Sequence, residues 1–113
     1  IGTNNIGFNT DQEIVDGLAT LISAVRERQP SAGILLLGVY PRKNLEERVS
    51  LLNSRIMELA ASLNVRYLDP GQQLLQADGK INPAYFVSDG LHPSREGYQV
   101  LAKAIRPALV SRN

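Results

Sequence analysis

Ile34-Leu35-Leu36-Leu37-Gly38-Val39-Tyr40 is an almost unbroken apolar run, stopped by Pro41. A half-buried strand would alternate apolar and polar residues. A strand apolar on both faces belongs in a parallel sheet covered by helices on both sides. The flanking segments agree with that reading. Upstream, Thr10-Asp11-Gln12-Glu13 has the pattern of a capping box, Thr10 being the N-cap and Glu13 reaching back to the open backbone amide. Ile14, Val15, Leu18, Leu21, Ile22 and Val25 then recur at helical spacing until Pro30 closes the element. Downstream, Asn44 with Glu47 predicts the start of a second helix, whose core stripe is Val49, Leu52, Ile56, Leu59 and Leu63. Asn64 stops it, and Val65 to Leu68 predicts a short strand ended by Asp69-Pro70-Gly71.

From Gly71 to Ser88 the chain reads mostly as loop, with a helical turn at Gln72 to Leu75 and a turn at Asp78-Gly79. Ser94 is placed to cap a final helix carrying Tyr98, Leu101, Ala102 and Ile105, with Pro107 ending or kinking it. Alternation of strand and helix in this order builds a parallel α/β layer structure with right-handed crossovers. Only two complete strands are predicted. Ile1 followed by the turn-like Gly2-Thr3-Asn4-Asn5 resembles the tail of a further strand whose body lies upstream. So narrow a sheet would leave the apolar edge of residues 34–40 bare, and further strands are expected to cover it. They would come from an N-terminal segment or from a partner chain, a second copy included.

The 113 residues suit one domain, and 43% hydrophobic with 20% charged residues describes a globular chain. A net charge of +1 offers no electrostatic footprint for nucleic acid or an anionic membrane surface. No run approaches the roughly 18 apolar residues of a membrane span. With no cysteine, disulfides and thiolate metal sites are excluded, and one histidine rules out a histidine-rich metal site.

That histidine lies in Ser88-Asp89-Gly90-Leu91-His92-Pro93-Ser94, with a carboxylate three residues before it. An acid and an imidazole so close, on a turn made pliable by Gly90, can form the orienting half of a hydrolytic triad. The carboxylate would fix the ring's tautomer, leaving the other nitrogen to take a proton from a nucleophile. Taken singly, His92 is an ordinary helix-start residue, and Asp89 and Asn4-Asn5 are ordinary turn formers. In a parallel sheet, however, ligand-binding groups gather at the loops beyond the strands' C-terminal ends. Gly2–Gly7, Tyr40–Asn44 and the long loop from Asp69 all belong there, which can make neighbours of Gly2, Asn4, Asp89 and His92. No serine matches a nucleophile on a tight turn after a strand. Ser23, Ser50, Ser54 and Ser62 lie on predicted helices, Ser31 in a turn, and Ser88 and Ser94 flank the acid–base turn.

Gly2-Thr3-Asn4-Asn5 resembles the third sequence block of the SGNH (GDSL-type) esterases and lipases, and Asp89-Gly90-Leu91-His92-Pro93 resembles their fifth. The similarity spans essentially all of residues 1–113, as the C-terminal part of one such domain. It is similar to the small bacterial esterases that resemble the catalytic subunits of platelet-activating-factor acetylhydrolase, and to small carbohydrate acetylesterases. The resemblance implies a three-layer αβα, flavodoxin-like fold with a parallel sheet. It also implies hydrolysis of a short-chain ester, such as an O-acetyl group, without metal or organic cofactor. Asn4 would donate its amide to the oxyanion. His92 would act as general base and then acid, with Asp89 orienting it. Asn5 stands where many members have aspartate, and the Gly-Asp-Ser block that supplies the nucleophile has no match among the 113 residues. The serine is therefore expected from an N-terminal part or a partner chain. Two rivals stand beside this reading. One is an inert piece or binding module that associates through its open sheet edge. The other, a nucleotide-binding domain, is weakened because Gly2–Gly7 lacks both Gly-x-Gly-x-x-Gly spacing and a P-loop lysine. Tyr40, Arg42 and Lys43 read as a solvated loop at the binding edge, and Tyr85-Phe86 as packing under the long loop or a pocket wall.

Overall fold

In the computed structural model, which describes residues 10–31 and 33–110, Thr10 opens the first helix with the reciprocal cap that the sequence predicts. The Glu13 amide donates to Thr10 Oγ1 at 3.1 Å and the Thr10 amide to Glu13 Oε1 at 2.8 Å. Helix α1 (Asp11–Arg28) is followed by strand β1 (Leu35–Leu37), helix α2 (Glu46–Ser62) and strand β2 (Arg66–Leu68). Two 3-10 turns, Pro70–Leu74 and Pro83–Tyr85, lead into helix α3 (Arg95–Val110). The stub at Ile1 and Gly2–Asn5, including Asn4, lie outside the described residues.

The strands pair in parallel, Leu35 opposite Arg66, Leu36 opposite Tyr67 and Leu37 opposite Leu68. Helix α2 makes the crossover, as a parallel pair requires. Leu36 and Tyr67 share one face and pack against Ile14 and Leu18 of α1 and Val49, Leu52 and Ile56 of α2. Successive strand residues point to opposite faces. Arg66 accordingly reaches the other way, donating to the Ala108 carbonyl of α3 at 2.6 Å. Helix α3 is held largely by the long connection, where Leu101 and Val100 pack with Leu74, Ile81 and Phe86. Asn64 closes the α2 turn with a φ of 55°, the left-handed conformation that asparagine tolerates.

Four expectations need correction. The strand predicted over 34–40 is paired only at Leu35–Leu37, because the buried Asn53 takes over at Val39. Its Oδ1 accepts from the Val39 amide at 2.8 Å and its Nδ2 donates to the Val39 carbonyl at 2.9 Å, in place of a strand neighbour. Helix α2 starts after Leu45 rather than at Asn44, which sits at φ 69° and makes the turn before it. Leu21 and Val25 of the α1 stripe are exposed, facing a groove beside β1 instead of core. In α3, Tyr98 is exposed and Val100 packs inward, while the helix continues through Pro107 to Val110.

Candidate active site

Residues 87–92 close on themselves before α3 begins. Phe86 bridges Pro93 in antiparallel fashion, the Val87 amide donates to the His92 carbonyl at 2.9 Å, and the Gly90 amide donates to the Val87 carbonyl at 3.0 Å. Gly90 adopts a φ of 66°, where a side chain is strained, and a Cβ there would lie 2.7 Å from Lys43 Cβ. The β1–α2 loop grips the same point, since the Lys43 amide donates to the Gly90 carbonyl at 2.8 Å. Ser94 ties the turn to α3 as predicted. Its Oγ accepts from the Gly97 amide at 3.2 Å and donates to the Ala84 carbonyl at 2.9 Å.

Within this frame Asp89 uses both oxygens. Oδ1 accepts from the Leu91 and His92 amides at 2.8 and 3.0 Å, which fixes the carboxylate against the backbone. Oδ2 lies 2.6 Å from His92 Nδ1. The hydrogen bond to the His92 ring, reinforced by those two amides, holds the Asp89 carboxyl down at about 2. It is thus an ionised acceptor at neutral pH, and the neutral ring must present its proton on Nδ1. The Nε2 lone pair is left outward, with no hydrogen-bond partner among the described residues. The His92 side chain is 68% exposed, so a reactant can reach it.

Asp89 and His92, predicted together, are together. Asn4 cannot be set beside them, since it lies outside the described residues. No serine hydroxyl among those residues bonds to His92. Ser54 Oγ and Ser62 Oγ donate to the Ser50 and Leu59 carbonyls of their own helix. Of the loop residues 40–43, Lys43 touches the Asp89–His92 turn directly, at Gly90. Phe86 is buried in the core under the long loop and also lines an adjoining cavity.

Sequence reasoning missed Asn53, which holds Val39 and so the start of the β1–α2 loop whose Lys43 bonds to Gly90. The signal was present as one amide next to Leu52 in the apolar stripe of α2. Asn53 Nδ2 also approaches Asp69 Oδ2 at 3.4 Å. Burial raises the Asp69 carboxyl despite this contact, and burial followed by the nearby Asp69 charge pushes the Tyr67 hydroxyl up to about 12.

Residues 1–100 match the model of the GDSL-like lipase/acylhydrolase family. The chain belongs to that family. Among curated relatives, platelet-activating factor acetylhydrolase IB subunit alpha1 of Bos taurus is 31% identical over 97% of this chain and 49% of its own length. Subunit alpha2 of Homo sapiens is 30% identical over the same shares. The chain therefore spans about half the length of these relatives. A Streptococcus pneumonia structure provisionally assigned as a platelet activating factor superposes with a TM-score of 0.88 at 30% identity, covering 96% of this chain and 56% of that one. A GDSL-like lipase from Bacteroides thetaiotaomicron shares the fold, with a TM-score of 0.77 at 21% identity over 90% of this chain and 53% of its own.

Proposed function

We propose that these residues form the acid–base half of a serine ester hydrolase that cleaves short-chain esters, O-acetyl groups foremost, through an acyl-enzyme. The observation that carries the reading is the 2.6 Å contact between His92 Nδ1 and Asp89 Oδ2, which leaves Nε2 as a base at an exposed edge. In the proposed cycle Nε2 takes the proton of a serine hydroxyl as its oxygen attacks the acyl carbon. Asn4 donates its side-chain amide to the resulting oxyanion. His92 then gives the proton to the departing alcohol, and water repeats the sequence on the acyl-enzyme. The serine belongs to a segment outside residues 1–113 or to a partner chain. The strands that complete a three-layer αβα sheet come with it, at the edge of β1 beside the apolar groove of Leu21 and Val25. Acetyl as the acyl group rests on the acetylhydrolase names of the relatives.

The test uses the complete protein. His92→Ala should lower p-nitrophenyl acetate turnover by about 10⁶, as loss of a triad base does elsewhere. The thermal midpoint should hardly move, because so exposed a ring contributes little packing. Asn4→Ala should cost about 10²–10³ in kcat with a smaller change in KM, since an oxyanion donor acts chiefly in the transition state. Full activity per folded His92→Ala molecule would refute the assignment and favour a binding module.

A further inference from the structure

In the turn that carries Asp89 and His92, Val87, Ser88, Asp89 and His92 are exposed, yet Gly90 is buried. The bonds donated by the Val87, Gly90, Leu91 and His92 amides all end on residues 87–92. They give the turn its shape but do not place it on the fold. What covers Gly90 is the β1–α2 loop. The Lys43 amide donates to the Gly90 carbonyl at 2.8 Å, and the Lys43 stem fills the space where a Gly90 Cβ would go.

That loop is fastened along its length. At its start Asn53 takes both backbone groups of the buried Val39. Tyr40 packs against the cluster of Leu74, Ile81, Phe86 and Leu101. Pro41 lies so close to Gly71 that a Cβ at residue 71 would stand 2.6 Å from Pro41 Cδ. The Leu45 amide then donates to the Arg42 carbonyl at 3.1 Å. With a φ of 69° at Asn44 and a negative φ at Lys43, residues 42–45 have the form of a type II turn. The Lys43 N–H is thus presented by a backbone with little freedom left, and the carbonyl it holds lies two residues before His92.

We infer that the β1–α2 loop is a positioning strap for hydrolysis. The Lys43 backbone amide, anchored through Pro41 on Gly71 and Val39 on Asn53, fixes where the Asp89–His92 turn sits and so where His92 Nε2 points. Lys43 acts through His92 and touches no reacting atom, which makes it a positioning residue. Its part in hydrolysis rests on the esterase function proposed above, whereas its hold on the turn does not. A base misplaced by about 1 Å can cost about 10²-fold in turnover.

The experiment uses the complete protein and three variants beside His92→Ala. Proline suits the second position of a type II turn, so Lys43→Pro removes the N–H while preserving the turn around it. Lys43→Ala keeps the N–H and removes the stem. Gly71→Ala pushes on Pro41 from the far side of the strap. For each, kcat and KM for p-nitrophenyl acetate are measured together with amide hydrogen exchange by NMR. Lys43→Pro should lower kcat about 10- to 100-fold with KM within about threefold, because orientation is lost rather than binding. The Gly90, Leu91 and His92 amides should exchange at least about tenfold faster, while those of α1 and α2 keep their rates. Lys43→Ala should lose no more than about threefold in kcat, and Gly71→Ala about 3- to 10-fold. Gly71→Ala should add little on top of Lys43→Pro, because both act through one bond. Equal kcat in Lys43→Pro and Lys43→Ala, or unaltered exchange in the turn, would overturn the strap. So would faster exchange spread through α1 and α2 to match the lost activity. If His92→Ala abolished hydrolysis under those circumstances, the esterase reading would stand alone. Hydrolysis that survives His92→Ala, with the turn still freed by Lys43→Pro, would sink the esterase reading and leave the hold on the turn.

Discussion

Replacing Asp89 by asparagine changes one oxygen to an NH₂ and leaves the shape of the side chain intact. Two backbone amides, of Leu91 and His92, donate to Oδ1 at 2.8 and 3.0 Å. The asparagine oxygen has to take that position, because a flipped amide would set two donors against its own NH₂. The NH₂ is then forced toward His92 Nδ1, across a contact now 2.6 Å long. A donor there selects the ring tautomer with the proton on Nε2 and the lone pair on Nδ1. The nitrogen facing a nucleophile can no longer accept a proton, and the imidazolium loses its counter-charge. The equivalent change in another triad enzyme costs about 10⁴ in kcat, or about 5.4 kcal/mol at 1.36 kcal/mol per decade. Stability at neutral pH should fall only modestly, since the two backbone bonds that shape the turn survive while the contribution of the exposed carboxylate charge is lost. The assay is kcat for p-nitrophenyl acetate in the complete protein, beside thermal unfolding followed by circular dichroism. Activity within tenfold of wild type would refute the tautomer argument. A collapse of the thermal midpoint that accounts for the lost activity would reduce Asp89 to a turn residue.

Gly90→Ala should destabilise by about 1–3 kcal/mol in urea unfolding, combining the left-handed backbone penalty with displacement of the Lys43 stem, and should lower turnover as the turn shifts. Asn53→Leu strands the buried amide and carbonyl of Val39, so a loss of about 2–4 kcal/mol is expected in the same measurement. The pH dependence has a definite sign. Asp89 titrates at about 2 when folded against 3.8 ordinarily, so its contribution to stability is complete above about pH 4 and is lost as pH falls through about 2. Over that interval the wild-type midpoint should fall more steeply than that of Asp89→Asn, and parallel curves would count against the pairing.

The features legible in the sequence were those whose partners lie within a turn or two. Thr10 and Glu13 are three residues apart, as are Asp89 and His92, and each pair closes through local geometry that the spacing already implies. The apolar run at 34–40 likewise announced a parallel strand, because no other element asks for apolar side chains on both faces. How far that strand would pair was not local. Asn53, distant along the chain, decides it by taking both backbone groups of Val39, and only the crossover of α2 brings it there. Helical period showed that α1 has an apolar stripe, but neighbours decide which of its residues are buried, and Leu21 and Val25 meet none sufficient to cover them. The cavity beside the acid–base turn is wholly tertiary. Lys43 comes from the β1–α2 loop and Lys80 and Phe86 from the long connection after β2, with no shared periodicity, and the contact of Lys43 with Gly90 brings the two segments around one space. Sequence by itself determined the order of the elements, the family and the closeness of Asp89 to His92, the last through interactions spanning a few residues. Tertiary structure alone decided where the strand ends, what is buried and which charges face the pocket, because those depend on contacts between segments that spacing along the chain does not encode.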